Sequence, residues 1–252
     1  MSRYTDHHAP EGLTTRGTVL VVPGRGETRA TYARLGARLA GDAYHVRVVG
    51  SPRLDPAGPA ASLTRFHEEL GEAADAPGGG GAVHPVVVIG ADVGAAAVAA
   101  VLDRSGAGWR PDGVVLAGLP ARTAPEAATW EEELELRTAC PVHRRRLTED
   151  GRVRRGALAT EVPPPVLSAA LESEIPVPTL LLSGDADPLA DHASLLAKAR
   201  SLPHARLSRV RGAHHDVLND AQHRSVAAEI VAFLEGLRDG MVPAVSVAAS
   251  TW

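Results

Sequence analysis

Three observations predict an α/β fold with a mostly parallel sheet and helices on both faces. Short β-branched runs alternate with helix-spaced segments, several of the runs are apolar without interruption, and glycine turns stand where strand gives way to helix. The first run, residues 18–22, ends at Pro23-Gly24-Arg25-Gly26, and residues 28–41 follow with Tyr32, Leu35 and Leu39 on one side of a helix. Residues 44–49 read as the second strand, 51–59 as a Pro/Gly loop, and 60–74 as a helix carrying Leu63, Phe66 and Leu70 at i, i+3 and i+7. After a four-glycine link at 78–81, the segment 85–89 opens on Pro85 and continues as an unbroken Val/Ile run suited to a strand buried on both faces. A helix at 94–103, a strand at 112–116, a strand at 177–182, a helix at 191–201, a strand at 205–210 and a helix at 221–238 complete the alternation.

Between residues 120 and 176 the strands stop and charged helical patches take over, which predicts a cap of short helices. The expected organisation is therefore a core of residues 1–119 and 177–240, a cap insertion at 120–176 and a tail at 241–252. Val242, Val245 and Val247 alternate in that tail, a pattern that admits pairing with a second copy as an edge strand, so a homodimer is an open expectation.

Composition excludes several classes. The formal charge of −4, from 26 Lys+Arg against 30 Asp+Glu, offers no electrostatic footprint for nucleic acid or an anionic membrane. No apolar stretch approaches the ~18 residues of a membrane span. Cys140 is the only cysteine and cannot close an intrachain disulfide, and residues 1–10 are polar, so the cytoplasm is the expected compartment. Aromatic residues make up 3% of the chain, so a ligand pocket must be walled mainly by aliphatic side chains.

The chemistry gathers at three strand ends. Gly90-Ala91-Asp92-Val93-Gly94 lies between the apolar strand and the alanine-rich helix, where flanking glycines permit a sharp turn that projects the central side chain from the sheet edge. An aspartate there is also a good helix N-cap, so the motif alone leaves both readings open. Ser183-Gly184-Asp185-Ala186-Asp187-Pro188 puts a carboxylate at the end of a later strand, and Gly212-Ala213-His214-His215-Asp216 puts an imidazole at the end of the next. In an open α/β sheet these ends face one crevice.

These loops resemble those of the α/β-hydrolase superfamily, in its monoacylglycerol-lipase and lysophospholipase-like branch, over roughly residues 17–237. The stretch through Gly24, Arg25, Gly26 and Glu27 resembles the branch's H-G-x-G-E oxyanion loop, with Pro23 where histidine is usual. The resemblance selects Asp187 over Asp185 as the acid and His215 over His214 as the catalytic imidazole, and implies an oxyanion hole from the N–H groups of Arg25 and Val93. The family's serine is Asp92 here.

Superfamily members resembling epoxide hydrolases and dehalogenases carry aspartate at this elbow and attack sp³ carbon. That implies Asp92 as nucleophile, His215 as base and Asp187 as its orienter, in a hydrolase acting on a small molecule. Two other readings stay open: acid–base chemistry without an adduct, including ester or lactone hydrolysis, and a non-catalytic binding role with Asp92 as a helix cap. Gly24, Trp130 and His143 are candidate substrate contacts, and the Arg25 side chain could bind a substrate carboxylate. The scattered histidines lack ligand spacing, so neither metal nor other cofactor is expected.

Overall fold

The computed structural model describes residues 3–75, 81–104, 108–121, 127–243, 245, 246, 248 and 249. Among the described residues, seven strands form one sheet: β1 (Thr5–His7), β2 (Thr18–Val22), β3 (His45–Val48), β4 (Val86–Ala91), β5 (Gly113–Ala117), β6 (Thr179–Gly184) and β7 (Ala205–Val210). Their order is β1-β3-β2-β4-β5-β6-β7, and every pairing is parallel except β1 on β3.

The uninterrupted apolar runs are explained by the two faces. From β2, β4 and β5, Leu20, Val22, Val88, Val114 and Leu116 enter one core, while Val19, Val21, Val87, Ile89 and Val115 enter the other. Side chains alternate across a strand with period two, so a sheet covered on both sides needs apolar residues at every position. The first core is closed by α2 (Pro59–Ala74) and α3 (Val93–Arg104), the second by α1 (Ala33–Gly41) and α8 (His223–Arg238). Each fully buried Val, Leu or Ile contributes about 1.5–3 kcal/mol, so these faces carry most of the apolar stabilisation. A helix α7 (His192–Ser201) connects β6 to β7.

The sheet extends past the strands that the sequence pattern marks: the polar segment Thr5–His7 adds an antiparallel strand with Thr5 opposite Val48 and His7 opposite Val46. Arg47 Nε donates to Asp6 Oδ1 at 2.7 Å and ties that strand down. Three polar residues show no periodicity; the strand exists because β3 presents an unpaired edge.

Within residues 120–176, helices α4 (Trp130–Arg137) and α5 (Pro141–Glu149) and a 3-10 turn at Ala157–Ala159 precede the last helix of the segment, with Leu134, Leu147 and Val153 as a separate small core. The next helix, α6 (Pro164–Glu172), buries Val166, Leu167 and Ala170 in the main core with α3, so it belongs to the sheet-covering layer. The alanine face of α3 lets α6 approach closely. Residues 122–126, where the cap was expected to begin, lie outside the described residues, as does most of the glycine link.

In the tail the described residues form no strand, and Met241, Val242 and Val245 are exposed; Val247 lies outside them. No described helix is long and apolar enough to cross a membrane.

Candidate active site

The turn from β4 to α3 holds Asp92 at φ 49°, a left-handed backbone that aspartate tolerates better than most residues. The flanking glycines are sterically required. A Cβ on Gly90 would lie 2.7 Å from Ala95 N, and one on Gly94 would lie 2.7 Å from the Val22 carbonyl. The strained turn therefore aims the Asp92 side chain at the ends of β6 and β7.

His215 Nε2 lies 3.2 Å from Asp92 Oδ1, and its Nδ1 lies 3.0 Å from Asp187 Oδ2. The other oxygen of Asp187 accepts the Leu189 N–H at 2.8 Å, which orients the carboxylate. The neighbouring candidates point elsewhere: Asp185 accepts from Gly212 N, and His214 faces Asp220.

The Arg25 side chain enters the same site. Its backbone N–H donates to Asp92 Oδ2 at 2.7 Å, its Nε lies 2.9 Å from Oδ2 and its Nη2 2.8 Å from Oδ1. Nη1 donates to the carbonyls of Leu158 and Thr160 at 2.8 and 2.7 Å, so one guanidinium joins the cap to the elbow. Arg25, Asp92, His215 and Asp187 then form a closed series of alternating charge. Solvent barely reaches it: Asp92 is 4% exposed and His215 2%.

Burial pushes the Asp92 carboxyl upward, but the Arg25 charge and the hydrogen bond from His215 outweigh it and hold Asp92 well below the usual range. Burial pushes His215 downward, but the charge and hydrogen bond of Asp187, joined by Asp92, raise it to about 10. At neutral pH Asp92 is thus a carboxylate and His215 a cation.

The other candidates separate. Val93 opens α3 directly after Asp92, and its side chain is buried. Gly24 sits behind the elbow, where a Cβ would come 2.9 Å from Asp92 Cβ, and its N–H donates to Glu27 Oε2 at 2.8 Å. Its observed partners are protein groups. Trp130 makes its observed contacts with Thr148, Arg155 and the small core: its Nε1 donates to Thr148 at 3.1 Å, it packs on Leu134, Leu147 and Val153, and Arg155 stacks over its ring.

His143 is buried in a second charged group. Its Nε2 lies 2.9 Å from Asp216 Oδ2, and Arg137 Nη1 approaches Asp216 Oδ1 at 3.4 Å. Arg137 is absent from the sequence expectations, yet its Nη2 donates to the Arg25 carbonyl at 2.7 Å and to Glu133 at 2.8 Å. The signal that could have found it is the apolar spacing of α4, which puts Leu134 and Arg137 on one inward side.

Glu27, His143 and Asp216 could bring ligand atoms to one ion, as could Asp6, His8 and His45. In the first group the Arg137 cation lies against Asp216, and in the second Arg47 already binds Asp6. Each arginine competes with a metal for the same charge.

Residues 157–248 match the family model described as TAP-like protein, which covers less than half of the chain. A search of curated protein sequences found no match. Among solved structures, the chain is similar to a monoglyceride lipase of Saccharomyces cerevisiae, with a TM-score of 0.72, 15% identity and coverage of 93% of this chain and 91% of that one. A Paleococcus ferrophilus monoacylglycerol lipase gives 0.67 at 19% identity, covering 93% and 98%. An enol-lactonase of Burkholderia xenovorans LB400 gives 0.62 at 16% identity, covering 92% and 95%. The chain therefore has the α/β-hydrolase fold, with a mostly parallel seven-stranded sheet.

Proposed function

We propose that this chain is a hydrolase acting on a small organic molecule, with Asp92 as a nucleophile toward sp³ carbon. The observation that carries the reading is the Asp92 carboxylate, held ionised at the elbow with an N–H on one oxygen and the His215 imidazolium beside the other. Attack by Oδ1 requires the Arg25 guanidinium to leave it while the Arg25 backbone N–H stays, and the bonds of that guanidinium to the Leu158 and Thr160 carbonyls tie its position to the cap.

The charge on His215 suits ring opening. Asp92 Oδ1 forms a bond to carbon, the C–O bond of an epoxide breaks, and the departing oxygen keeps the electron pair and takes the Nε2 proton. The product is an alkyl ester with a neutral imidazole. Esterification removes the Asp92 charge, so His215 loses one of the two carboxylates that raised it and becomes a base for water. Hydroxide adds to the ester carbonyl, the N–H groups of Arg25 and Val93 hold the oxyanion, and collapse releases the alcohol. The departing alkoxide takes a proton from His215, and the Asp92 carboxylic acid returns its own proton to the imidazole. A C–halogen substrate loses halide without protonation; once esterification has removed the Asp92 charge, His215 gives its proton to solvent water and then acts as the base, so the overall products are the alcohol, halide and a proton.

Intact mass of His215→Ala after incubation with epoxides and 2-haloacids tests the scheme. The expected result is a stable adduct on Asp92, strongest with the haloacid because its departure needs no proton. Absence of any adduct while wild type turns over the same compound overturns covalent catalysis. A second reading, with His215 as an acid in a step without an adduct, is favoured by the cation itself and by the number of donors already on Asp92.

A further inference from the structure

Just outside the loop that carries Arg25 lies a surface hollow of about 570 Å³, open to solvent and floored by Gly26 and Glu27. Four arginines line it, from three separate parts of the chain: Arg53 from the loop after β3, Arg65 from α2, and Arg152 and Arg154 from the cap. Arg152 is paired with Asp150 at 3.0 Å. Arg53, Arg65 and Arg154 are exposed, and among the described residues they have no carboxylate partner.

Two carboxylates share the wall, and both have other bonds. Glu27 Oε2 accepts from Gly24 N and from the Tyr32 hydroxyl, and Asp55 Oδ1 accepts the Ala57 N–H at 2.9 Å within its own turn. An adjoining hollow of about 370 Å³ shares Ser51 and Arg53 and adds Arg3, Arg29 and Glu69, with Arg3 paired to Glu72 at 2.6 Å. A charge run within one segment is ordinarily a solvated face. Here the cations come together only through tertiary folding, on a chain whose net charge is −4. Like charges gathered at a concavity repel one another and raise the local concentration of anions.

We propose that this hollow is a binding site for a diphosphate group, clamped by Arg53, Arg65 and Arg154 across the seam between core and cap. Guanidinium forks match phosphate oxygens in pairs, and three cations without partners call for more negative charge than a single phosphate supplies. The seam is already closed at this point by the Arg154 N–H on the Gly26 carbonyl at 2.9 Å, so the ligand would touch the stretch leading into Arg25. The inference is independent of the reaction at Asp92.

Isothermal titration of the full chain with pyrophosphate at fixed ionic strength tests it. Saturable binding is expected, with inorganic phosphate weaker by roughly tenfold or more. Arg53→Ala/Arg65→Ala should weaken pyrophosphate by at least about tenfold, and Arg154→Ala should weaken it from the cap side. Arg206→Ala, an exposed arginine paired with Glu229 on another face, should leave it unchanged. The three lining arginines are exposed, so the unliganded variants should unfold at the wild-type temperature. No saturable binding, wild-type affinity in the double variant, or equal affinity for phosphate and pyrophosphate would each overturn the proposal.

Discussion

Two buried charged groups lie side by side beneath the cap, and they treat their carboxylates in opposite ways. In the first, Asp92 meets Arg25 on both oxygens and His215 on one, so the ionised form is favoured in spite of burial. In the second, Glu27 is deprived of a full partner: Oε1 is buried with no hydrogen bond, and burial together with the Asp216 charge raises it to about 7. Arg137 lies nearer Asp216 and Glu133 and offsets only part of the Glu27 charge. The comparison teaches that burial alone does not decide ionisation; what decides is the sign of the charge held against each carboxylate, the Arg25 cation for Asp92 and the Asp216 anion for Glu27.

The largest effect that would break the contrast is Arg25→Met. It leaves buried Asp92 with only the His215 cation and strips donors from the Leu158 and Thr160 carbonyls, so urea unfolding should show a loss of about 3–5 kcal/mol. A loss below about 1 kcal/mol would show that Asp92 does not depend on Arg25.

Glu27→Gln sharpens the contrast from the other side. Because folding raises the Glu27 pKa from 4.5 to about 7, the native state holds more protons than the unfolded chain in that window. Stability must therefore fall as pH rises from about 4.5 to 7 and then level off. The wild type should lose about 1–3 kcal/mol over this range relative to Glu27→Gln, measured as unfolding midpoints at several pH values. Parallel pH profiles for the two proteins would remove Glu27 as the titrating group.

The smallest effect concerns the element that covers both groups. Thr129 accepts the Glu132 N–H at 3.2 Å while Glu132 reaches back to the Thr129 N–H at 3.0 Å, a capping box that starts α4. Thr129→Ala should cost about 0.5–2 kcal/mol of stability, and hydrogen exchange should rise first in α4. Uniform exchange across α1 and α4 would mean that the cap opens only with the whole domain.

Much of this architecture was legible before any coordinates. The strands β2, β4, β5 and β7 and the helices α2, α7 and α8 follow from apolar spacing, because a period of two or 3.6 is a local property of the chain. The edge strand Thr5–His7 and the inclusion of α6 in the main core were not, since neither segment's own pattern names the surface it meets. At the site, Asp92, Asp187 and His215 could be placed at one sheet edge by their loops, and the structure brings their side chains within hydrogen-bond distance.

By itself the sequence determined the parallel α/β sheet, the glycine-flanked turn at Asp92 and the chain order of carboxylate, acid and histidine. Each depends on neighbouring residues and on turn sterics that act over a few positions. Only the tertiary structure decided that the Arg25 side chain closes on Asp92, that Arg137 braces the Arg25 carbonyl, that Trp130 bonds Thr148, and that Arg53, Arg65 and Arg154 share one hollow. These are meetings between residues remote in the chain, 67 positions apart for Arg25 and Asp92, and a side chain's charge state follows from the partners it meets there.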